Sequence, residues 1–165
     1  MPATISGTTG GIGLIGSGTA QNTTSGTAID FTGIPAGVKR ITVMFNEVST
    51  NGTSHIGVQI GAGSITSTGY VATSGQVLSA PSVGSYTTCF GIRSPNAADV
   101  NSGHMVLTSV GSNIWIASHT VKEATNALIV GAGSVTLSGT LDRVRITTVN
   151  GTDTFDAGSV NILYE

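Results

Sequence analysis

The chain has 165 residues, of which 24 are glycine, 25 threonine and 19 serine, whereas only 14 are charged and the net charge is −2. This composition excludes a coiled coil or helical bundle, which needs many helix-forming residues, and a disordered segment of high net charge. It also argues against a protein that grips nucleic-acid phosphates, because such proteins are basic. The length predicts one compact domain, and the composition predicts that it is rich in β-structure.

The first 27 residues are rich in glycine, threonine and serine, which predicts an arm or docking segment at 1–27 before a single domain at 28–165. The start of the chain has neither the basic nor the apolar stretch of a signal peptide. The letters GIGLIG at 11–16 match the G-x-G-x-x-G pattern of dinucleotide sites, but those sites also need a helix directly after the motif. The following SGTAQNTT does not favour a helix, so we expect no nucleotide there and no cofactor in the protein.

Alternating apolar residues predict two strands, at 39–48 and 55–61. Ile41, Val43 and Phe45 occupy alternate positions of the first strand. The pair Asn51-Gly52 separates the two strands, and both of its residues tolerate the positive φ angles of a two-residue turn. We therefore predict that the strands pair as a hairpin.

Further short strands follow at regular intervals along the rest of the chain. They are predicted at 69–73, 85–92, 104–110, 113–119, 127–131, 134–138, 141–148 and 159–164. Turns are predicted at 112–113 and 131–133, and the letters IGAGSIT at 60–66 return as VGAGSVT at 130–136, which indicates two similar tight turns. The stretch Val121–Leu128 is the one candidate for a helix. About nine or ten short strands predict an all-β, antiparallel β-sandwich that is jelly-roll-like.

The residue types that carry chemistry are few and scattered. The three histidines have none of the spacings of a metal motif, and the oxygen donors of NGTDTFDAG at 150–158 are spaced by three rather than by the two of a calcium loop. Cys89 is the only cysteine, and its neighbours predict a buried, apolar role. The eight acidic residues occur singly, and no G-x-S-x-G motif is present, so we expect no enzyme and no metal site.

One strand is apolar on both of its faces. Ile114 and Ile116 share one face, whereas Trp115, Ala117 and His119 share the other. Such a strand lies deep in the fold or buries its outer face against another chain. Three interpretations of Trp115 stay open here: a core residue, a subunit interface, and a platform for a sugar ring. The candidate ligand or interface residues are Tyr70, Tyr86, Trp115 and His119.

Two stretches of the chain resemble small β-domains of tailed-bacteriophage virion proteins. They are AIDFTGIPAGVKRITVMFNEVSTNGTS at 28–54 and GSVTLSGTLDRVRITTVNGTDTFDAGSVNILYE at 133–165. Domains of this kind occur at the ends of tail-fibre proteins or as short stand-alone virion proteins. The resemblance implies a non-enzymatic virion component with an antiparallel β-sandwich fold, often a homotrimer.

The first hypothesis is therefore a tail-fibre or spike-type surface module that contacts host glycan. A head decoration or fibre protein, anchored by residues 1–27 and without a receptor role, is the first alternative, and a chain that starts at Met1 without a fibre shaft favours a separately made subunit. A small carbohydrate-binding module is the second alternative, and a small depolymerase is the least favoured.

The partners expected are other virion proteins, host surface glycan and two further copies of the chain in a homotrimer. We expect neither nucleic acid nor membrane insertion among its interactions. The lack of a signal peptide fits assembly in the host cytoplasm and a location in the virion.

Overall fold

Two antiparallel β-sheets pack face to face and form a β-sandwich, as the sequence predicts. The computed structural model describes residues 15–97, 99–123 and 127–165, and this part of the chain contains fourteen strands rather than nine or ten. The strands are β1 (Gly16–Ser17), β2 (Gln21–Asn22), β3 (Ala28–Thr32), β4 (Arg40–Thr50), β5 (Ile56–Ala62), β6 (Ser64–Ile65), β7 (Val71–Val77), β8 (Ser82–Tyr86), β9 (Phe90–Ile92), β10 (Asn101–Gly111), β11 (Ile114–Glu123), β12 (Leu128–Thr136), β13 (Arg143–Thr148) and β14 (Phe155–Tyr164).

The large sheet has nine strands in the order β1-β14-β4-β10-β11-β12-β7-β8, with β2 also paired to β14. The small sheet has five strands in the order β3-β13-β5-β6, with β9 also paired to β5. All of these pairs are antiparallel. The small sheet covers the inner face of the large sheet, and the core lies between them.

The core follows the alternation predicted for the first long strand. Ile41, Val43 and Phe45 of β4 are buried, whereas Arg40, the first residue of the strand, is exposed. Alternate residues of β5 and β13 face them across the sandwich, and alternate residues of β10 lie beside them in the large sheet. The residues across the sandwich are Val58, Ile60, Val144 and Ile146, and those of β10 are Met105 and Leu107, all fully buried. Full burial of an aliphatic side chain stabilises a fold by about 1.5–3 kcal/mol, so this layer holds the two sheets together.

The predicted hairpin of 39–48 and 55–61 is wrong, although both of its strands exist. β4 belongs to the large sheet and pairs with β10 and β14, whereas β5 belongs to the small sheet and pairs with β13. The Asn51-Gly52 pair therefore carries the chain from one sheet to the other. Its turn chemistry is local, but the pairing of the strands is decided by burial on two different sheets.

The prediction of two strands separated by a turn at 131–133 is also wrong. β12 runs without interruption from Leu128 to Thr136, so the second copy of the repeated heptad lies inside a strand. The first copy does turn, because Gly63 has a φ of +73° between β5 and β6. The predicted strand at 85–92 is likewise two strands, β8 and β9, which belong to different sheets.

The helix considered for Val121–Leu128 is wrong at both ends, because residues 121–123 end β11 and Leu128 begins β12. Residues 124–126 lie outside the described part of the chain. Similarly, residues 1–14 of the predicted arm lie outside it, whereas β1 and β2 run along β14 as an edge of the large sheet. Residues 15–27 thus dock onto the sandwich.

The predicted turn at 112–113 is confirmed, and it joins β10 to β11. Ser112 and Asn113 both have positive φ angles, 51° and 60°, as a two-residue hairpin turn of the right twist requires. Side chains other than glycine are strained in this region, and β-branched ones most of all.

We expect Ser112→Gly to raise the free energy of unfolding slightly and Ser112→Val to lower it by about 1–2 kcal/mol. Ser112 is exposed, so neither change removes a buried contact. Urea unfolding of the two variants measures the difference directly. Equal stability of the glycine and valine variants would contradict the strained turn.

Candidate functional site

Trp115 lies in the core, with 4% of its surface exposed. Its neighbours on the same face of β11, Ala117 and His119, are also buried, whereas Ile114 and Ile116 point outward. The predicted division of the strand into two faces is therefore confirmed. An indole buried in this way offers no ring face to a sugar, so the core interpretation is the one that fits the structure.

Tyr70 is also buried, and its hydroxyl group is part of the framework. The hydroxyl oxygen accepts a hydrogen bond from the backbone N–H of Ile60 at 2.9 Å and lies 3.0 Å from the carbonyl oxygen of Thr66. The ring meets Phe90 edge-on, with 4.9 Å between the ring centroids. Burial raises the pKa of the Tyr70 hydroxyl far above its usual value, so the group stays neutral. Tyr70 joins β5 to the loop before β7.

Tyr86 belongs to a polar cluster at one end of the sandwich. Its hydroxyl oxygen lies 2.8 Å from Nδ1 of His55, and the two rings meet edge-on at 5.7 Å. Arg93 lies beside the same hydroxyl and donates from Nε to the Ser82 hydroxyl oxygen at 2.6 Å. Burial, with a contribution from the Arg93 charge, lowers the pKa of His55, so the imidazole is neutral at pH 7. The cluster ties β8 to β9 and to the turn before β5.

His119 reaches across a neighbouring strand to bond with Ser74. The register places His119, Gly131 and Ser74 in one row over β11, β12 and β7. A Cβ at Gly131 would overlap the imidazole, so only glycine lets the ring lie over β12. Nε2 of His119 is then 3.1 Å from Oγ of Ser74, and burial lowers the pKa of His119 to about 4.

A second polar pair lies next in line on the same strands. Glu123 of β11 is buried and accepts a hydrogen bond from the Gln76 amide of β7. The pairs His119–Ser74 and Glu123–Gln76 hold β11 to β7 over the top of β12. His119 and Glu123 are four residues apart on one strand and bond to different partners, so they do not form one catalytic pair. Both bonds connect strands.

The other residues considered for chemistry also have structural roles. Cys89 is buried, and burial raises its pKa to about 11, so the thiolate is scarce at neutral pH. In the 150–158 loop, the Asp153 carboxylate accepts hydrogen bonds from the backbone N–H of Ser54 at 2.9 Å and from the Asn150 amide at 2.7 Å. This is the turn predicted there. Across the described ranges, no three His, Cys, Asp or Glu side chains cluster as metal ligands.

The largest exposed apolar surface lies on the outer face of the large sheet. Seven aliphatic side chains of β7, β8, β11 and β12, each between 36% and 74% exposed, share this face. They are Val71, Val77, Val83, Ile114, Ile116, Leu128 and Val130. We call this surface the aliphatic face. From the sequence, only Ile114 and Ile116 were predicted to lie on an outer apolar face. Residues 128–130 are also apolar on both faces of their strand, and this pattern could have identified Leu128 and Val130.

Charge is distributed very differently on the two outer faces. Lys122 is the one charged side chain that the described part of β7, β8, β11 and β12 turns outward. The small sheet instead carries an ion pair in which Arg145 binds both oxygens of Asp30, at 2.7 Å each. Asp142 and Arg143 form a second pair at its edge. Covering the aliphatic face therefore removes few charged groups from water, whereas covering the opposite face would desolvate its ion pairs.

Comparison of the chain with protein-family models, with characterised proteins and with solved structures finds no match in any of the three. Among the described residues, no helix has the length and apolar character needed to cross a membrane.

We expect the protein to lose stability between pH 7 and pH 4 because of His119. The unfolded chain protonates this residue near pH 6.5, whereas the folded chain holds it neutral down to about pH 4. The unfolded state thus binds more protons in this window, which costs up to about 3 kcal/mol of folding free energy by pH 4.

The variant His119→Gln keeps a polar group near Ser74 but cannot titrate. Urea unfolding of both proteins at pH 7 and pH 4 should show a smaller acid-induced loss in the variant. The contributions of His55, Asp30 and Asp142 are common to both proteins and cancel in this comparison. An equal loss in both proteins would show that His119 is not held neutral by burial.

Proposed function

We propose that this protein is a non-enzymatic structural component of a tailed-bacteriophage virion, a tail-fibre or spike-type surface module that assembles as a homotrimer. The observation that carries the proposal is the aliphatic face. Together with the resemblance of 28–54 and 133–165 to virion β-domains, it favours a subunit of a larger assembly over a free-standing enzyme or a binding module that works alone.

The aliphatic face is organised in rows that run across the strands. Ile116, Ser134 and Val71 are neighbours in one row, and Val130, Gly75 and Val83 are neighbours in another. Small hydroxyl and glycine residues separate the aliphatic ones, and Lys122 is the one charged side chain that points outward here. Exposed surfaces rich in apolar side chains mark sites of association.

The face supplies more than half of the area of a standard interface between chains. Its four strands, β11, β12, β7 and β8, lie side by side at a spacing of about 4.8 Å, and their five to ten residues rise by about 3.4 Å each. The face therefore measures about 20 by 26 Å, or about 500 Å², against about 800 Å² per partner in a standard stable interface. Lys122 is the one charged side chain of these strands that points outward, so contact between copies of the chain brings few like charges together.

The residues first considered for ligand binding support the structural role. Tyr70, Trp115 and His119 are buried, Tyr70 and His119 are hydrogen-bonded within the fold, and Tyr86 is held between His55 and Arg93. The polar groups of the two tyrosines and of His119 hold strands together rather than face a cleft. A framework braced in this way suits a particle that must stay folded outside cells.

The location of the protein is tested on purified particles of the phage that encodes it. Antibodies raised against the full chain, with gold labels, should mark the tail fibres or spikes in electron micrographs. Labels on the capsid would replace this proposal with a head decoration role. Particles that carry no label, and that lack the chain in mass spectra, would overturn the virion proposal.

The assembly is tested by placing charges on the aliphatic face. Wild-type protein should elute with a light-scattering mass near three times its 16.5 kDa. The double variant Ile116→Lys with Val130→Lys should run as a monomer, because buried lysines without partners cost several kcal/mol. Val149→Lys is the matched control, since Val149 is 40% exposed but lies outside the face. A monomeric wild-type protein would contradict the self-association.

A further inference from the structure

A cavity of about 370 Å³ opens where the edges of the two sheets meet. One of its walls is the segment 17–21, which includes the link between β1 and β2, and the other is 30–34, the end of β3 and the turn after it. Ile162 and Tyr164 of β14 form the floor. The volume falls in the range of small-molecule sites. We call this cavity the edge cleft.

The walls of the edge cleft are fixed by the sheet. β1 and β2 pair with β14 on either side of Gly18, and the Gly18 N–H donates to the carbonyl oxygen of Ile162 at 2.9 Å. The Gly18 backbone lies close to the floor, since a Cβ there would stand 3.0 Å from both Ile162 and Phe31. A ligand would therefore meet a preformed cleft and would not have to order a loop.

Asp30 places a fixed carboxylate on the rim of the cleft. Arg145 donates to Oδ1 and to Oδ2, at 2.7 Å in both cases, and these bonds keep the pKa of Asp30 below its usual value. Each carboxylate oxygen can accept a second hydrogen bond. Asp30 is therefore an ionised acceptor whose two oxygens are held in position by a partner on the neighbouring strand.

Neutral polar groups complete the rim. Gln21 donates from Nε2 to the backbone carbonyl of Asp30 at 2.9 Å, which leaves its amide oxygen and a second N–H to bond elsewhere. Ser17, Thr19 and Thr32 add three hydroxyl groups. The Ser17 hydroxyl donates to the Gly18 carbonyl oxygen at 2.8 Å and can accept from a ligand, whereas those of Thr19 and Thr32 can donate and accept. Tyr164 is half-buried at the floor, and Ile162, Phe31 and Ile34 are buried beneath the cleft.

We propose that the edge cleft binds a neutral saccharide unit. A sugar ring carries closely spaced hydroxyl groups that donate and accept, which match the polar rim, and it has apolar C–H faces, which match the aromatic side chain of Tyr164 at the floor. Asp30 is the one charged residue that lines the described cleft, and Arg145 already neutralises it. An anionic ligand would meet a carboxylate there and find no free cation.

An extended peptide is the other class of ligand that binds at a sheet edge. It would have to pair with the backbone of β3. The Gln21 amide already occupies the Asp30 carbonyl on that edge, and the segment 17–21 crosses in front of it. The saccharide is therefore favoured, and a peptide becomes an outcome of the test.

The inference rests on the proposed role as a surface module, for which it names the class of host ligand and the place of contact. The test uses the full chain labelled with ¹⁵N and four neutral probes: D-glucose, D-galactose, N-acetyl-D-glucosamine and L-rhamnose. At least one probe should shift the amide signals of Gly18 and Gly33 saturably at millimolar concentrations. Glucuronate, an acidic sugar, should bind more weakly than glucose.

Thr19→Trp places a large ring in the cleft and should weaken binding of that probe by at least about tenfold, which corresponds to about 1.4 kcal/mol. Thr24→Trp is the matched control, because Thr24 is equally exposed but does not line the cleft, and it should bind as the wild type does. Asp30→Asn keeps the shape of the side chain and should also weaken binding.

The outcomes separate this inference from the virion proposal. Shifts at Gly18 and Gly33 that persist in Thr19→Trp, no shifts with any of the four probes, or shifts caused only by an unrelated peptide would overturn the saccharide site. Gold labelling of particles is independent of these results, so either proposal can fail while the other stands.

Discussion

The sandwich depends on a single corner at which the chain crosses twice between its sheets. β4 leads into β5 there, and β13 leads into β14, so each crossing joins the large sheet to the small one. The crossings bond to each other: Asn51 donates its N–H to the carbonyl oxygen of Thr154 and accepts from the Thr154 N–H through its side chain, both at 2.9 Å. Asp153 adds bonds to Ser54 and Asn150. Because four strands of the core enter or leave here, loss of this corner would unpair both sheets at once.

This corner also shows which features of the fold could be predicted from the sequence and which could not. Alternation identified β4 correctly, because Ile41, Val43 and Phe45 must all face one side of a strand. The pair Asn51-Gly52 correctly indicated a turn. It could not indicate which strand would pair with β4, because the same turn chemistry serves a hairpin and a change of sheet. That choice depends on β14, more than a hundred residues further along the chain.

The candidate site shows the same division between local and distant information. The two faces of β11 were predictable, because neighbouring side chains on a strand point in opposite directions. The burial of Trp115 was not, since it depends on residues far away in the sequence, the 36–39 loop and Leu141, which lie beside the indole. The edge cleft was equally hidden, because its walls come from 17–21 and 30–34 and its floor from the last strand.

The glycines of β12 have a consequence for the pairing of the large sheet. Gly131 makes room for His119, and Gly133 stands so close to Ala72 that a side chain would not fit. A slip of β12 by two residues would keep its inside and outside faces, and hydrophobic alternation alone would permit it. In one direction the slip brings Ile129 under the imidazole, and in the other it brings Val135 against Ala72. The absence of side chains at these two positions thus fixes the register of the strand. Of the alignments that keep the apolar residues inside, only one places glycine at both close contacts.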